Sequence, residues 1–131
     1  MANTSRKTSP PRGRLTPLRV TDGFRAFALE QLAGITAVRA RAMFGGVGIY
    51  AGDVFFGILA RDALYLKVDD TTRSQYEAAG MTAFKPYADR PTSMSYYQVP
   101  VHVLEDADEL ATWAREAVRI ATRAAAPRKR R

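Results

Sequence analysis

The fold of this chain is decided by residues 38–68, VRARAMFGGVGIYAGDVFFGILARDALYLKV. Apolar and polar residues first alternate with the period of a β-strand, and the glycines at residues 44–48 are typical of a bulge. Two short turns then separate three strands, predicted over residues 38–50, 54–60 and 64–68. Because turns this short join antiparallel strands, the segment predicts an antiparallel meander.

Helices are predicted on both sides of the meander. The first covers residues 23–33 and is capped by Thr21 or Asp22. The second follows the capping residues Asp69 and Asp70 and ends at Gly80. The last begins at Asp106, and its apolar stripe is formed by Leu110, Trp113, Ala114, Ala117, Val118 and Ala121.

Two more strands are predicted between the second and last helices, over residues 82–87 and 93–99. Pro100 lacks an amide proton and should end the pairing of the second of them. The order α-β-β-β-α-β-β-α predicts a two-layer α+β sandwich, in which one five-stranded antiparallel sheet carries the helices on its apolar face. An edge of that sheet would be available for association.

The positive charge is confined to the two ends of the chain. The net charge is +7, yet residues 20–114 contain eight Lys/Arg against twelve Asp/Glu. Residues 1–19 contain five Lys/Arg and no acid, and residues 115–131 contain seven against one. We therefore expect one domain over residues 21–125, flanked by basic disordered tails at 1–20 and 126–131. Such tails would hold a polyanion loosely through counterion release, or would simply improve solubility.

The composition excludes several classes of protein. The chain has no cysteine, which rules out disulfide scaffolds, thiolate zinc sites and cysteine nucleophiles. Residues 1–15 lack the apolar run of a signal peptide or membrane anchor, so we expect a cytoplasmic protein.

A dinucleotide fingerprint is imitated by residues 46–51, which fit G-x-G-x-x-A and precede Asp69 and Asp70 by about twenty residues. That fingerprint needs a helix directly after the glycines to receive a pyrophosphate. Here a hairpin follows, so the glycines indicate a bulge or close backbone packing. No cofactor is expected.

Catalytic and metal sites are not indicated either. His102 is the single histidine and has no triad pattern around it. The acids within residues 105–109 lack the spacing of a calcium loop, and they suit the start of a helix. We therefore expect no catalytic residue, no metal ligand and no enzyme.

Nucleic-acid contact by the folded body depends on a few basic side chains. Arg39 and Arg41 share one strand face, and Lys67 shares a face with Tyr65; near Tyr96 or Tyr97 such cations could hold phosphates while the rings stack on bases. The plainer interpretation is a solvated sheet face. The remaining candidates lie at the C-terminal end, namely Arg119, Arg123, Arg128, Lys129, Arg130 and Arg131.

Three segments together carry a family resemblance: residues 41–50, 64–69 and 94–100. Their order and spacing resemble the N-terminal domain of the TfoX/Sxy family, the regulators of competence and DNA transformation. The positions that match the family pattern are Met43, Phe44, Gly45, Gly46, Gly48, Tyr65, Lys67, Met94, Tyr96, Tyr97 and Pro100.

The resemblance implies a non-enzymatic regulator that acts through a partner in the transcription machinery. Full-length members assist the cyclic-AMP receptor protein and carry a second, C-terminal domain, whereas this sequence resembles the first domain alone. We therefore expect a transcription accessory protein with weak nucleic-acid affinity in its tails. Alternatives are a stand-alone interaction or homodimerisation module and, more remotely, a small nucleotide-binding enzyme.

Overall fold

The structure is a computed structural model that describes residues 18–85 and 95–125. In these ranges the chain forms four helices and five strands: α1 (Asp22–Gln31), β1 (Val38–Met43), β2 (Gly46–Ala51), β3 (Val54–Ala60), β4 (Ala63–Lys67), α2 (Asp70–Ala78), β5 (Tyr96–Gln98), α3 (Val101–Leu104) and α4 (Ala107–Ala125). The strands form one antiparallel sheet in the order β1-β2-β3-β4-β5. The predicted α+β class, with five antiparallel strands, is confirmed.

The prediction of a single strand over residues 38–50 is wrong. Met43 pairs with Gly46, so Phe44 and Gly45 form a two-residue turn between β1 and β2. Both turn residues have positive φ, 54° and 85° respectively, which is the backbone that a tight hairpin requires. Among the strand pairs of the described residues, the register shifts only between β2 and β3, at Ile49 and Tyr50, and not at the glycines.

The strand predicted over residues 82–87 does not form in its described part. Ala83 makes an isolated bridge with Tyr97, and the Phe84 amide donates to the Tyr96 carbonyl at 2.7 Å. Residues 86 and 87 lie outside the described residues. The observed element order is therefore α-β-β-β-β-α-β-α-α, because one predicted strand divides, another is reduced to a bridge, and a short helix, α3, is added before the last one.

A short helix that we did not predict, α3, follows β5. The carbonyl of Pro100 accepts from the Val103 and Leu104 amides at 3.0 Å. Proline suits this position because its fixed φ, here −59°, matches the entry to a helix. His102 lies on α3 with its side chain exposed.

The predicted caps of the other helices are confirmed. Thr21 Oγ1 accepts from the Phe24 amide at 3.1 Å, and Asp69 forms a capping box with Thr72 at the start of α2. Asp106 accepts from the amides of residues 108 and 109 at the start of α4. The acids of residues 105–109 thus include the cap that we predicted.

All four helices contribute to one apolar core against one face of the sheet. That core contains Ala28 and Leu32 of α1, Tyr76 of α2, Val103 of α3 and the stripe of α4. On α4, Leu110, Ala114, Ala117 and Ala121 are buried as predicted, and Trp113 and Val118 are partly buried. The prediction of helices on one face of the sheet is confirmed.

The face turned away from the helices is called the open face below. Part of it is covered by a small cluster of Leu18, Ile58, Ala60, Tyr65, Phe84 and Tyr96, to which no helix contributes. The rest carries side chains from β1, β2, β3 and β4. Within residues 18–85 and 95–125, none of the helices combines the length and hydrophobicity needed to cross a bilayer.

Candidate nucleic-acid interface

The charged side chains of the described strands are all basic and all lie on the open face. They are Arg39, Arg41 and Lys67; the five strands contain no Asp or Glu. Alternation along β1 directs Val38 and Ala40 toward the helices, so the two arginines point to the other side. The open face is therefore basic although residues 20–114 are net acidic.

Three aromatic rings form a continuous row on this face, called the ring row below. Tyr50 of β2 lies 5.2 Å from Phe55 of β3, and Phe55 lies 5.4 Å from Tyr96 of β5, measured between ring centroids. The planes are tilted by 37° and 38°. These spacings fall within the range of favourable aromatic pairs. The row thus crosses the sheet as one apolar platform.

The three cations flank the ring row at its two ends. The guanidinium carbons of Arg39 and Arg41 lie 5.7 and 5.9 Å from the centroid of Tyr50. The ammonium of Lys67 lies 5.2 Å from the centroid of Tyr96. Cations at these distances are attracted by the ring quadrupole.

The two arginines differ in how firmly they are held. Arg39 donates two hydrogen bonds to the Gly52 carbonyl, at 3.1 and 2.9 Å, and lies 3.6 Å from Asp53. Within the part of the chain that the structure describes, Arg41 and Lys67 have no hydrogen-bond or ion-pair partner, only their ring contacts. They are the cations that a ligand can recruit without breaking an existing ion pair.

Adjacent tyrosines of β5 have different surroundings. Tyr96, only 6% exposed, has its pKa raised to about 12, mainly by burial. Tyr97 faces the helices, and its hydroxyl donates to Glu77 at 2.8 Å, which raises the pKa of Tyr97. Both rings are therefore neutral over the physiological range.

The glycines that imitate a dinucleotide fingerprint lie in β2, where we placed them in a strand instead of at a helix start. A Cβ on Gly46 would lie 2.7 Å from the Leu59 carbonyl oxygen. A Cβ on Gly48 would lie 2.7 Å from Met43 Sδ. Both glycines thus permit close packing, and a strand supplies no helix N-terminus for a pyrophosphate.

The segments that carry the family resemblance come together in the sheet. The first forms the β1–β2 hairpin with Phe44 and Gly45 at its tip, the second supplies Tyr65 and Lys67 of β4, and the third forms β5 and ends at Pro100. Tyr65 is buried against Phe84, with a centroid distance of 5.0 Å. Met94 lies outside the described residues.

The predicted basic residues do not form one surface. Arg119 and Arg123 are exposed on α4, which packs on the sheet face opposite to Arg39 and Arg41. Arg119 is also paired with Glu116. Arg128, Lys129, Arg130 and Arg131 lie outside the described residues.

Sequence reasoning missed two members of the ring row, Tyr50 and Phe55. Tyr50 pairs directly with Arg39 across the hairpin, and Phe55 pairs with Tyr50. These pairings follow from the turn at Phe44 and Gly45. The signal was therefore present, but it required dividing the segment into two strands.

A protein-family model matches most of the chain. The model described as the TfoX N-terminal domain matches residues 30–121, which include the whole sheet and most of α4. Comparison with curated proteins gives no match. Since the family match spans well over half of the chain and contains all three resembling segments, the chain belongs to the TfoX N-terminal domain family.

Proposed function

We propose that this protein is a non-enzymatic regulatory protein of the cytoplasm, an accessory to transcription that acts through a protein partner. Its arginine-rich tails add weak, non-specific affinity for nucleic acid. The observation that carries the proposal is the match to the TfoX N-terminal domain over residues 30–121. The resemblance to the TfoX/Sxy regulators of competence and DNA transformation supplies the expected role. We infer that such a regulator acts with a partner that supplies promoter specificity.

The charge distribution supports this division of labour. Many sequence-specific DNA-binding proteins place a basic helix in the major groove. The long helix α4 has acids in its first turn, and its Arg119 is paired with Glu116. The net acidic charge of residues 20–114 also disfavours a long phosphate footprint on the body. Duplex affinity is therefore assigned to the tails, and specificity to a partner.

The transcription role is tested in the host. Deleting the gene should change a defined set of transcripts, and a chromosomal copy should restore them. Cross-linking the full chain in cells should recover a transcription activator or an RNA polymerase subunit. An unchanged transcriptome, under conditions in which the protein is made, would contradict the proposal.

The tail contribution is tested with the full chain and a labelled duplex. Replacing Arg128, Lys129, Arg130 and Arg131 by glutamine removes four charges and should lower the salt dependence of binding, by a slope of up to about 0.9 for each phosphate that is no longer neutralised. Arg73→Gln is the control, because Arg73 is an arginine of the body that pairs with Asp70. If both variants lose the same affinity, the C-terminal tail has no special role.

The edge strand β1 favours the alternative of an interaction module. It is six residues long, and β2 is its single strand partner within the described residues. Pairing of β1 with a second copy would bring the arginines of the two chains close together, which is unfavourable. A strand from a different, acidic protein fits this edge better. A sedimentation experiment that shows a strict monomer would agree with that preference.

A further inference from the structure

We propose that the open face binds single-stranded nucleic acid, with bases stacking on the exposed end of the ring row at Tyr50 and phosphates contacting Arg41 and Lys67. This site lies on the folded body, not in the tails. It goes beyond the proposed function, because it would operate whether or not the protein acts in transcription.

The ring row supplies the stacking surface. Tyr50 and Phe55 are partly exposed, while Tyr96 beneath Lys67 is buried and supports the far end. Every base has a π-face, so the exposed rings of the row accept bases without reading their sequence. In a duplex those faces are already stacked on each other, which leaves none for the protein.

The cations supply the phosphate contacts. Arg41 and Lys67 flank the two ends of the ring row, and each has only its ring contact within the described ranges. Arg39 is held by the Gly52 carbonyl and Asp53, so it orients the Tyr50 end instead of moving to a ligand. Because the strands carry no acid, an extended phosphate backbone across this face meets no repelling strand side chain.

The shape of the face favours a single strand over a duplex. The β1–β2 hairpin is continuous with the five-stranded sheet, so it is not a free ribbon that could enter a groove. The helices lie on the opposite face. The uncovered part of the open face presents rings and cations side by side, and this arrangement fits unpaired bases.

The experiment uses the full chain and fluorescence anisotropy. The probes are fluorescein-labelled oligo-dT and oligo-U of about 15 nucleotides, and a duplex of equal length. Each is titrated at about 50 and 200 mM salt. Because we assign duplex affinity to the tails, the site is identified by the variants below, which should weaken the binding of either single strand more than that of the duplex. Tighter binding of oligo-U than of oligo-dT would identify RNA as the ligand, recognised through its 2′-hydroxyls. Equal or tighter binding of oligo-dT would mean that the site does not require those hydroxyls and also accepts DNA.

Two variants locate the site. Tyr50→Leu should weaken single-strand binding by roughly 5- to 150-fold, the range for removal of one stacking ring. Arg41→Gln should weaken it less and lower the salt slope by about 0.7. Arg123→Gln is the matched control, because it removes another exposed arginine, from α4. Circular dichroism checks that each variant is folded. If Tyr50→Leu does not fold, Arg41→Gln still tests the site, because it changes an exposed side chain.

Two results would overturn the inference. One is a duplex whose binding is weakened by Tyr50→Leu as much as that of the single strands. The other is an equal decrease of affinity in Arg41→Gln and Arg123→Gln, which would mean that overall charge alone governs binding. Unchanged host transcripts together with a selective decrease in Arg41→Gln would reject the transcription proposal and leave this one supported.

Discussion

The two faces of the sheet are made by the same strands and differ in almost every property. The helix-covered face carries Ile49, Phe56, Leu64 and Leu66, each at most 1% exposed. The open face carries cations, partly exposed rings and a smaller apolar cluster. Alternation along each strand thus separates the residues that hold the fold from those that are free to bind. Substitutions at neighbouring positions can test this separation.

The largest expected effect compares adjacent phenylalanines of β3. Phe56 is fully buried under the helices, and Phe55 belongs to the ring row. Phe56→Ala should lower the free energy of unfolding by about 3–5 kcal/mol, because it opens a cavity in the main core. Phe55→Ala should cost roughly 1–2 kcal/mol, since less of its ring is removed from water. Urea unfolding monitored by circular dichroism measures both.

The same pair also tests function. Phe55→Ala should weaken single-strand binding, whereas Phe56→Leu should leave the affinity of the folded protein unchanged. Equal decreases of stability in the two alanine variants would show that the open face is as much a core as the covered one.

The second comparison concerns the two ends of the open face. At its covered end, a Cβ on Gly46 would meet the backbone oxygen of Leu59, which cannot move aside. At the other end, which the small apolar cluster does not cover, a Cβ on Gly48 would meet Met43 Sδ, which lies on a flexible side chain. Gly46→Ala should therefore lower the free energy of unfolding by about 1–3 kcal/mol, and Gly48→Ala by under about 1 kcal/mol. Thermal melts of both variants show which substitution is more destabilising. A larger loss in Gly48→Ala than in Gly46→Ala would refute this explanation of why the two glycines are needed.

The third comparison concerns the joint between the helix layer and the sheet. Thr21 caps α1, and its hydroxyl donates to Asp62 Oδ2 at 3.0 Å in the β3–β4 turn. Thr21→Ala should cost about 1 kcal/mol, whereas Thr21→Ser keeps the hydroxyl and should cost much less. The midpoint of urea unfolding distinguishes the two variants. If serine proves as damaging as alanine, the cap is not the cause.

The chain's local signals predicted the helices better than the hairpin. Thr21, Asp69 and Asp106 cap helices where we expected them, because capping is a contact between near neighbours in the sequence. The turn at Phe44 was missed because positive φ is usually adopted by Asn, Asp or Gly, and a phenylalanine there looks like strand. The Phe44 side chain is 71% exposed at this turn. The sequence pattern alone could not distinguish it from a core residue.

The positions of the basic side chains in the candidate site could be predicted from the sequence, but the arrangement of its aromatic rings could not. Arg39 and Arg41 were placed correctly on one strand face, because alternation is a local property. That Tyr50 pairs with Arg39 depends on the register of the hairpin, and that Phe55 reaches Tyr96 depends on where β5 joins the sheet. Such relations are set by the tertiary fold. They follow from the sequence only after every turn is correctly located.

The smallest expected effect is a difference in titration between Tyr96 and Tyr97, which lie on opposite faces of the sheet. Burial raises the pKa of Tyr96 to about 12, and the hydrogen bond to Glu77 raises the pKa of Tyr97. Absorbance at the tyrosinate band should show a component near pH 12 that Tyr96→Phe removes. Glu77→Gln should lower the pKa of Tyr97 and leave that of Tyr96 unchanged.

The stability consequence has a definite sign. An unfolded tyrosine releases its proton near pH 10.0, so a folded tyrosine with a raised pKa binds the proton more tightly than the unfolded chain does. The stabilisation from Tyr96 is complete below pH 10 and is lost as the pH rises toward 12. Burial also raises the pKa of Tyr76 on the helix-covered face, so the wild-type decrease has contributions from both faces. The difference between wild type and Tyr96→Phe isolates the open face, and identical pH profiles would mean that Tyr96 is as well hydrated as in the unfolded chain.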